Sequence, residues 1–127
     1  MTEADTVKKR VLVIEDEPIV GRLCRGVLTA KGYQVDIVTN GLEAKEVTSR
    51  VDYDLCISDI RLPGLTGINL YEHWKSNNNP ITDKVIFITG DTMDTTVLNF
   101  LEKSRTPCLL KPFELQELAA AVERLIS

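Results

Sequence analysis

The chain has 127 residues, of which 43% are hydrophobic and 27% charged, with a formal net charge of -4. This is enough chain for one domain with a real core, and too apolar for a disordered one. No apolar run approaches the ~20 residues that cross a bilayer, and residues 1–10 are polar and charged with no leader core. An acidic chain without a basic stripe is a poor direct partner for nucleic acid, so its output is expected to pass through protein contacts. The 3 cysteines are odd in number and widely spaced. They read as buried thiols in a reducing cytoplasm rather than as a disulfide framework.

Strand-length apolar runs alternate with helix-period segments, the pattern of an α/β fold with a parallel sheet. The first strand is predicted over residues 10–15. Pro18 suits a first helical turn, and Val20, Leu23, Cys24, Val27 and Leu28 form an apolar stripe closed by Gly32. Residues 34–38 read as a second strand. Asn40-Gly41 is a turn signal, followed by a weaker stripe of Ala44, Val47 and Val51. Residues 54–58 form a third strand, apolar at consecutive positions as when both faces are buried. A loop over residues 62–67 leads to a third helix over residues 68–75, and residues 76–80 are a polar surface connection. The fourth strand covers residues 84–89, with Met93, Val97, Phe100 and Leu101 marking the next helix. A short fifth strand at 108–110 precedes a final helix striped by Leu115, Leu118, Ala119, Val122, Leu125 and Ile126. No repeat, linker or second domain is visible, so residues 1–8 read as a tail and 9–127 as one domain.

The ends of these runs carry the chemistry. The first strand runs into Glu15-Asp16, the third into Asp59, the fourth into Thr89-Gly90 and the fifth into Lys111-Pro112. Parallel strands end on one edge, where ligands bind. Carboxylates, an ammonium and a hydroxyl converging there would attract a divalent cation and then a phosphoryl group.

Four motifs in order, Val-Ile-Glu-Asp-Glu-Pro (13–18), Ile-Ser-Asp-Ile-Arg-Leu-Pro-Gly (57–64) with Gly67, Ile-Thr-Gly-Asp (88–91) and Leu-Lys-Pro-Phe (110–113), carry a resemblance. The chain resembles the receiver domain of the response regulator family of two-component signalling, from Lys9 onward, and is similar to its single-domain chemotaxis and phosphorelay members. The resemblance implies a doubly wound (βα)5 flavodoxin-like three-layer sandwich with sheet order 2-1-3-4-5. It implies that Asp59 accepts a phosphoryl group in a Mg²⁺-dependent reaction. Asp16, Asp59 and the Arg61 carbonyl oxygen are then direct metal ligands, and Glu15 acts through a water. Lys111 and the Thr89 hydroxyl would bind phosphoryl oxygens, with room and a backbone N–H at Gly90 and a cis peptide at Lys111-Pro112. The donor would be a histidine kinase or a histidine phosphotransfer domain, the output a downstream protein target, and the chain a monomer or weak dimer that turns over nothing but its own phosphate.

One position departs from the family. Cys108 stands where most relatives carry an aromatic that rotates inward after phosphorylation, which puts the usual aromatic coupling and the common dimer face in doubt. Phe100 and Met93 are candidate substitutes, though both fit plain core. Arg61 and Asp91 flank the expected path of the attacking water and are expected to set phosphate lifetime. Ile19, off the stripe of the first helix, and Arg22 are the expected docking residues for the phosphodonor. Competing readings are a pseudo-receiver that never takes phosphate, a dehalogenase-type phosphohydrolase and a flavin binder. The hydrolase needs a carboxylate where Arg61 stands. The flavin binder needs a hydroxyl- and glycine-rich loop where Glu15-Asp16 stands.

Overall fold

The computed structural model describes residues 8–90 and 94–126. Its strands are β1 (Arg10–Ile14), β2 (Gln34–Val38), β3 (Leu55–Asp59), β4 (Val85–Thr89) and β5 (Cys108–Leu110). The helices are α1 (Pro18–Ala30), α2 (Gly41–Arg50), α3 (Gly67–Ser76), α4 (Thr95–Ser104) and α5 (Leu115–Ile126). All strand pairs are parallel and the sheet order is β2-β1-β3-β4-β5, as the resemblance implied.

Alternation along each central strand divides the core into two layers. Val11, Val13, Leu55, Ile57, Ile86 and Ile88 face one side, where they meet Cys24 and Leu28 of α1 and Leu118, Ala121 and Val122 of α5. Leu12, Ile14, Cys56 and Phe87 face the other, against Ala44 of α2, Leu70, Tyr71 and Trp74 of α3 and Val97 of α4. Both faces of β1, β3 and β4 are therefore apolar, which is why those strands read as continuous runs rather than alternating ones. The buried Trp74 indole N–H donates to Thr48 Oγ1 at 3.0 Å, so the largest core side chain keeps its polar atom paired.

The structure corrects several local expectations. Leu23, expected on the buried stripe of α1, is 44% exposed, and Leu115 at the start of α5 is 46% exposed. Periodicity placed both on apolar faces, but Leu23 lines a surface depression with Val20, Pro112 and Phe113, and Leu115 is the first residue of its helix. Asn40-Gly41 is a helix start rather than a separate turn. The Asn40 side chain accepts from the Glu43 N–H at 2.8 Å, and the Glu43 carboxylate accepts from the Thr39 N–H at 3.2 Å. The pair satisfies donors at the start of α2 that would otherwise be orphaned. The polar connection after α3 holds a 3₁₀ turn, Pro80–Asp83, capped by Asn79 and anchored by buried Ile81. A single turn leaves no periodic signal to read. Of the cysteines, Cys24 and Cys56 are buried but Cys108 only half so, and all are free.

Two glycines are required by close approach. A Cβ at Gly41 would lie 1.8 Å from the Leu65 carbonyl oxygen. One at Gly67 would lie 2.7 Å from the Asp59 carbonyl oxygen and 3.1 Å from the Phe87 ring. The first turn of α3 thus rests directly on the end of β3. Gly67→Ala is expected to lower the unfolding free energy by about 1–3 kcal/mol, the usual cost of forcing volume into a packed site, as measured by urea denaturation.

Candidate functional site

The five strand ends bring one cluster together. Asp59 is the last residue of β3 and is only 6% exposed. Its Oδ1 accepts from the Arg61 N–H at 3.0 Å and its Oδ2 accepts from Lys111 Nζ at 2.7 Å. Lys111 follows β5, its own N–H bonded to the Thr89 carbonyl oxygen at 2.9 Å, and the Lys111-Pro112 peptide is cis. The same ammonium reaches Glu17 Oε1 and lies 3.2 Å from Glu15 Oε1. Glu15 begins where β1 ends and is held by its N–H to the Val38 carbonyl oxygen at 3.0 Å. Its Oε2 accepts from the Glu17 N–H at 3.0 Å, while its buried Oε1 has no hydrogen-bond partner among the described residues.

The electrostatics follow from burial. Desolvation is the strongest influence on Glu15, and with the nearby Asp59 charge it pushes the carboxyl up to about 6, against the Glu17 N–H and Lys111. Burial alone would lower the Lys111 ammonium, but hydrogen bonds to Asp59 and Glu17 and the charges of Asp59 and Glu15 outweigh it and hold the group protonated. Burial likewise raises Cys108, to about 11, with help from Asp59, so this thiol stays protonated and unreactive near neutrality.

Glu15, Glu17 and Asp59 each offer a carboxylate oxygen, all within 4.8 Å of one another. Oxygen-only donors and an unpartnered buried carboxylate oxygen fit a hard divalent cation such as Mg²⁺. The grouping differs from the expected ligand set in one respect. Asp16, expected as a direct ligand, is exposed and stands outside this group, whereas Glu17, not singled out from the sequence, is inside it. A signal was present: Glu17 is the N-cap of α1, directly before Pro18, and a glutamate there is too long to cap well. Its side chain makes no capping bond and extends to Lys111 instead.

The remaining expected residues fall as follows. Thr89 ends β4 and is 1% exposed. A Cβ at Gly90 would meet nothing within 4 Å, so the backbone there is open. Asp91 and Met93 lie outside the described residues. Among the described residues the Arg61 guanidinium lies 3.4 Å from Asp94 Oδ2, and Asp94 Oδ1 caps α4 by accepting from the Thr96 N–H at 2.8 Å. Cys108 pairs in register with Phe87, and Phe87, Tyr71 and Phe100 form an aromatic trio with centroids 5.2–6.3 Å apart. Phe100, expected as plain core, is only partly buried and packs against the core from its edge. On α1, Ile19 is 67% exposed and Arg22 is exposed. Beside them Val20, Leu23, Pro112 and Phe113 line a depression that reaches Glu17 and Lys111.

Comparison with known proteins agrees with this geometry. Residues 11–123 match the family model described as response regulator receiver domain. The chain is 34% identical over 118 residues to the transcriptional regulatory protein QseB of Haemophilus influenzae, covering 92% of this chain and 52% of that protein. It is 30% identical to the transcription factor SKN7 of Candida albicans, covering 97% of this chain and 22% of that protein. The chain therefore spans about half or less of these relatives. Among solved structures it resembles the receiver domain of the sensor histidine kinase PA1611 of Pseudomonas aeruginosa, which holds a magnesium ion in its active-site cleft. There the TM-score is 0.82 at 27% identity, over 94% of this chain and 98% of that one. A Francisella response regulator receiver domain matches equally well, with a TM-score of 0.82 at 25% identity, over 94% of this chain and 97% of that one.

The raised Glu15 carboxyl carries a sign that can be measured. The folded chain binds this proton more tightly than the unfolded chain, whose value is 4.5. Its contribution to stability is therefore complete below about pH 4.5 and is lost as pH rises through about 6. Without divalent cations, the wild type is expected to lose about 2 kcal/mol relative to Glu15→Gln between pH 4 and 7. Urea denaturation of both proteins across that range checks it.

Proposed function

We propose a function from the premise that this chain belongs to the response regulator receiver family. It accepts a phosphoryl group on Asp59 from a phosphohistidine of a histidine kinase or phosphotransfer domain and thereby switches its contacts with a downstream protein. The observation that carries this reading is the buried Asp59 carboxylate, oriented by the Arg61 N–H on one oxygen and by Lys111 on the other. A carboxylate oxygen attacks phosphorus, forming the P–O bond of an acyl phosphate as the P–N bond breaks. The departing imidazole leaves with that electron pair, neutral when its other nitrogen carries a proton. The chain contributes alignment and charge stabilisation rather than covalent work of its own.

Asp59, Asp16 from its exposed place beside Glu15, and the Arg61 carbonyl oxygen, with Glu15 through a water, are the residues that would hold Mg²⁺, as the family resemblance implies; Glu17, committed to Lys111 in the resting site, is not counted among them. When bound, the cation neutralises charge on the acceptor and on the arriving phosphoryl group. Lys111 binds one phosphoryl oxygen and the Thr89 hydroxyl another, with the open backbone at Gly90 leaving space beside them. The product adds about -1.5 to -2 charge where the resting site already holds a dense group of acids. Arg61 and Asp91, the sequence positions that flank the path of the attacking water in the family, set how long that phosphate lasts. The pair of Arg61 with Asp94 ties the Arg61 side chain to the cap of α4. Cys108 cannot act as the usual aromatic lever, so the Tyr71, Phe87 and Phe100 trio beside it stays packed in both states. The cytoplasm is the compartment that fits free thiols and a kinase partner. Among the described residues no helix is long and apolar enough to cross a membrane.

Incubation with Mg²⁺ and a small phosphodonor is expected to give one phosphoryl adduct on the wild type and none on Asp59→Asn, read by intact mass. A folded wild type that binds Mg²⁺ yet takes no adduct would favour the pseudo-receiver reading. Docking of the protein donor is separable from chemistry. Ile19→Ala is expected to slow transfer from a phosphohistidine protein about tenfold, the worth of one buried aliphatic side chain, while leaving the small-donor rate unchanged.

A further inference from the structure

The Lys111 ammonium has three N–H donors and no other polar capacity. In this structure three carboxylates accept from it: Asp59 Oδ2 at 2.7 Å, Glu17 Oε1 in hydrogen-bond contact and Glu15 Oε2 at 3.4 Å. The donor set is therefore full before any phosphoryl group arrives. For Lys111 to bind a phosphoryl oxygen, one of these partners has to let go. The three are not equal in that respect. The Glu15 side chain is completely buried and Asp59 nearly so, with side chains 0% and 8% exposed, whereas the Glu17 side chain is 59% exposed. A released Glu17 carboxylate is rehydrated by solvent, while a released Glu15 or Asp59 leaves an unpaired charge in a dry cleft. Glu17 is also free of other duties at its position, since it caps α1 without a side-chain bond.

We propose that Glu17 is a positioning residue that occupies Lys111 in the resting state and yields it to the incoming phosphoryl group, so that it restrains the rate of phosphorylation. This rests on Asp59 being the acceptor. Glu17 touches neither the acceptor nor the reacting phosphorus. It acts through Lys111, by holding the ammonium toward the mouth of the cleft and by adding a negative charge that an anionic donor has to approach.

The test compares wild type, Glu17→Gln and Glu17→Asp in two measurements. The first is the rate of adduct formation with phosphoramidate and Mg²⁺, together with the Mg²⁺ affinity of each protein. Glu17→Gln is expected to be phosphorylated about two- to fivefold faster, the range open to a partly exposed ion pair, with Mg²⁺ affinity unchanged. Glu17→Asp, one methylene short of Lys111, is expected to follow it. The second is the side-chain ammonium resonance of Lys111 without Mg²⁺ or donor, whose protons should exchange with water faster in both variants. An unchanged ammonium resonance overturns the inference whether or not the wild type takes phosphate. An unchanged rate, or a slower rate with weakened Mg²⁺ binding, overturns it too, the latter making Glu17 a cation ligand. A wild type that takes no adduct defeats the acceptor reading instead, and the resonance still decides the contact between Glu17 and Lys111.

Discussion

One ammonium among three carboxylates organises this molecule. Lys111 bonds Asp59 and Glu17 and lies against Glu15, and in doing so it joins the ends of β1, β3 and β5 with the start of α1. Without that charge, Glu15 and Asp59 would face each other in a cleft that excludes water, and like charges there raise each other's protonation. Even with Lys111 in place, burial first and the Asp59 charge second hold the Glu15 carboxyl above its ordinary range. A site that is acidic beyond what its own cation balances offers oxygen donors of the kind a hard divalent ion takes.

The fold serves this arrangement by rigidity. β1, β3 and β4 are buried on both faces, so the residues at their ends are fixed by two packed layers rather than by loops. Gly67 lets α3 close on the carbonyl of Asp59, and Gly41 lets α2 close on the Leu65 carbonyl. Both contacts brace the segment that carries the acceptor and Arg61. What the core leaves adjustable lies outside it: the exposed side chain of Glu17, the half-exposed pair of Arg61 and Asp94, and the apolar surface of Ile19 and Leu23 on α1.

Much of this was legible in the chain because strand ends in a parallel sheet share an edge. Four apolar runs ending in Glu15, Asp59, Thr89 and Lys111 were enough to place those residues together, and the sheet order followed from the resemblance. What the sequence concealed was decided by geometry at single residues. Glu17 and Asp16 are neighbouring acids of the same charge, and only the turn into α1 determines which of them faces Lys111. Leu23 sits on a correct helical period, but the period does not reveal that it lines a surface depression beside Pro112 and Phe113 rather than the core. Asn40-Gly41 looks like a turn and is a helix cap, because both uses draw on the same side-chain acceptor and the same freedom from a Cβ.

The central claim is that Asp59, and none of the acids around it, forms the acyl phosphate. Borohydride reduces an acyl phosphate on aspartate to homoserine, which marks the residue permanently. After exposure to a phosphodonor and Mg²⁺, reduction and peptide mass mapping, homoserine is expected at position 59 alone. A reduced side chain at Glu15, Asp16 or Glu17 would contradict the account. So would an unmodified position 59 in a protein that had gained a phosphoryl group.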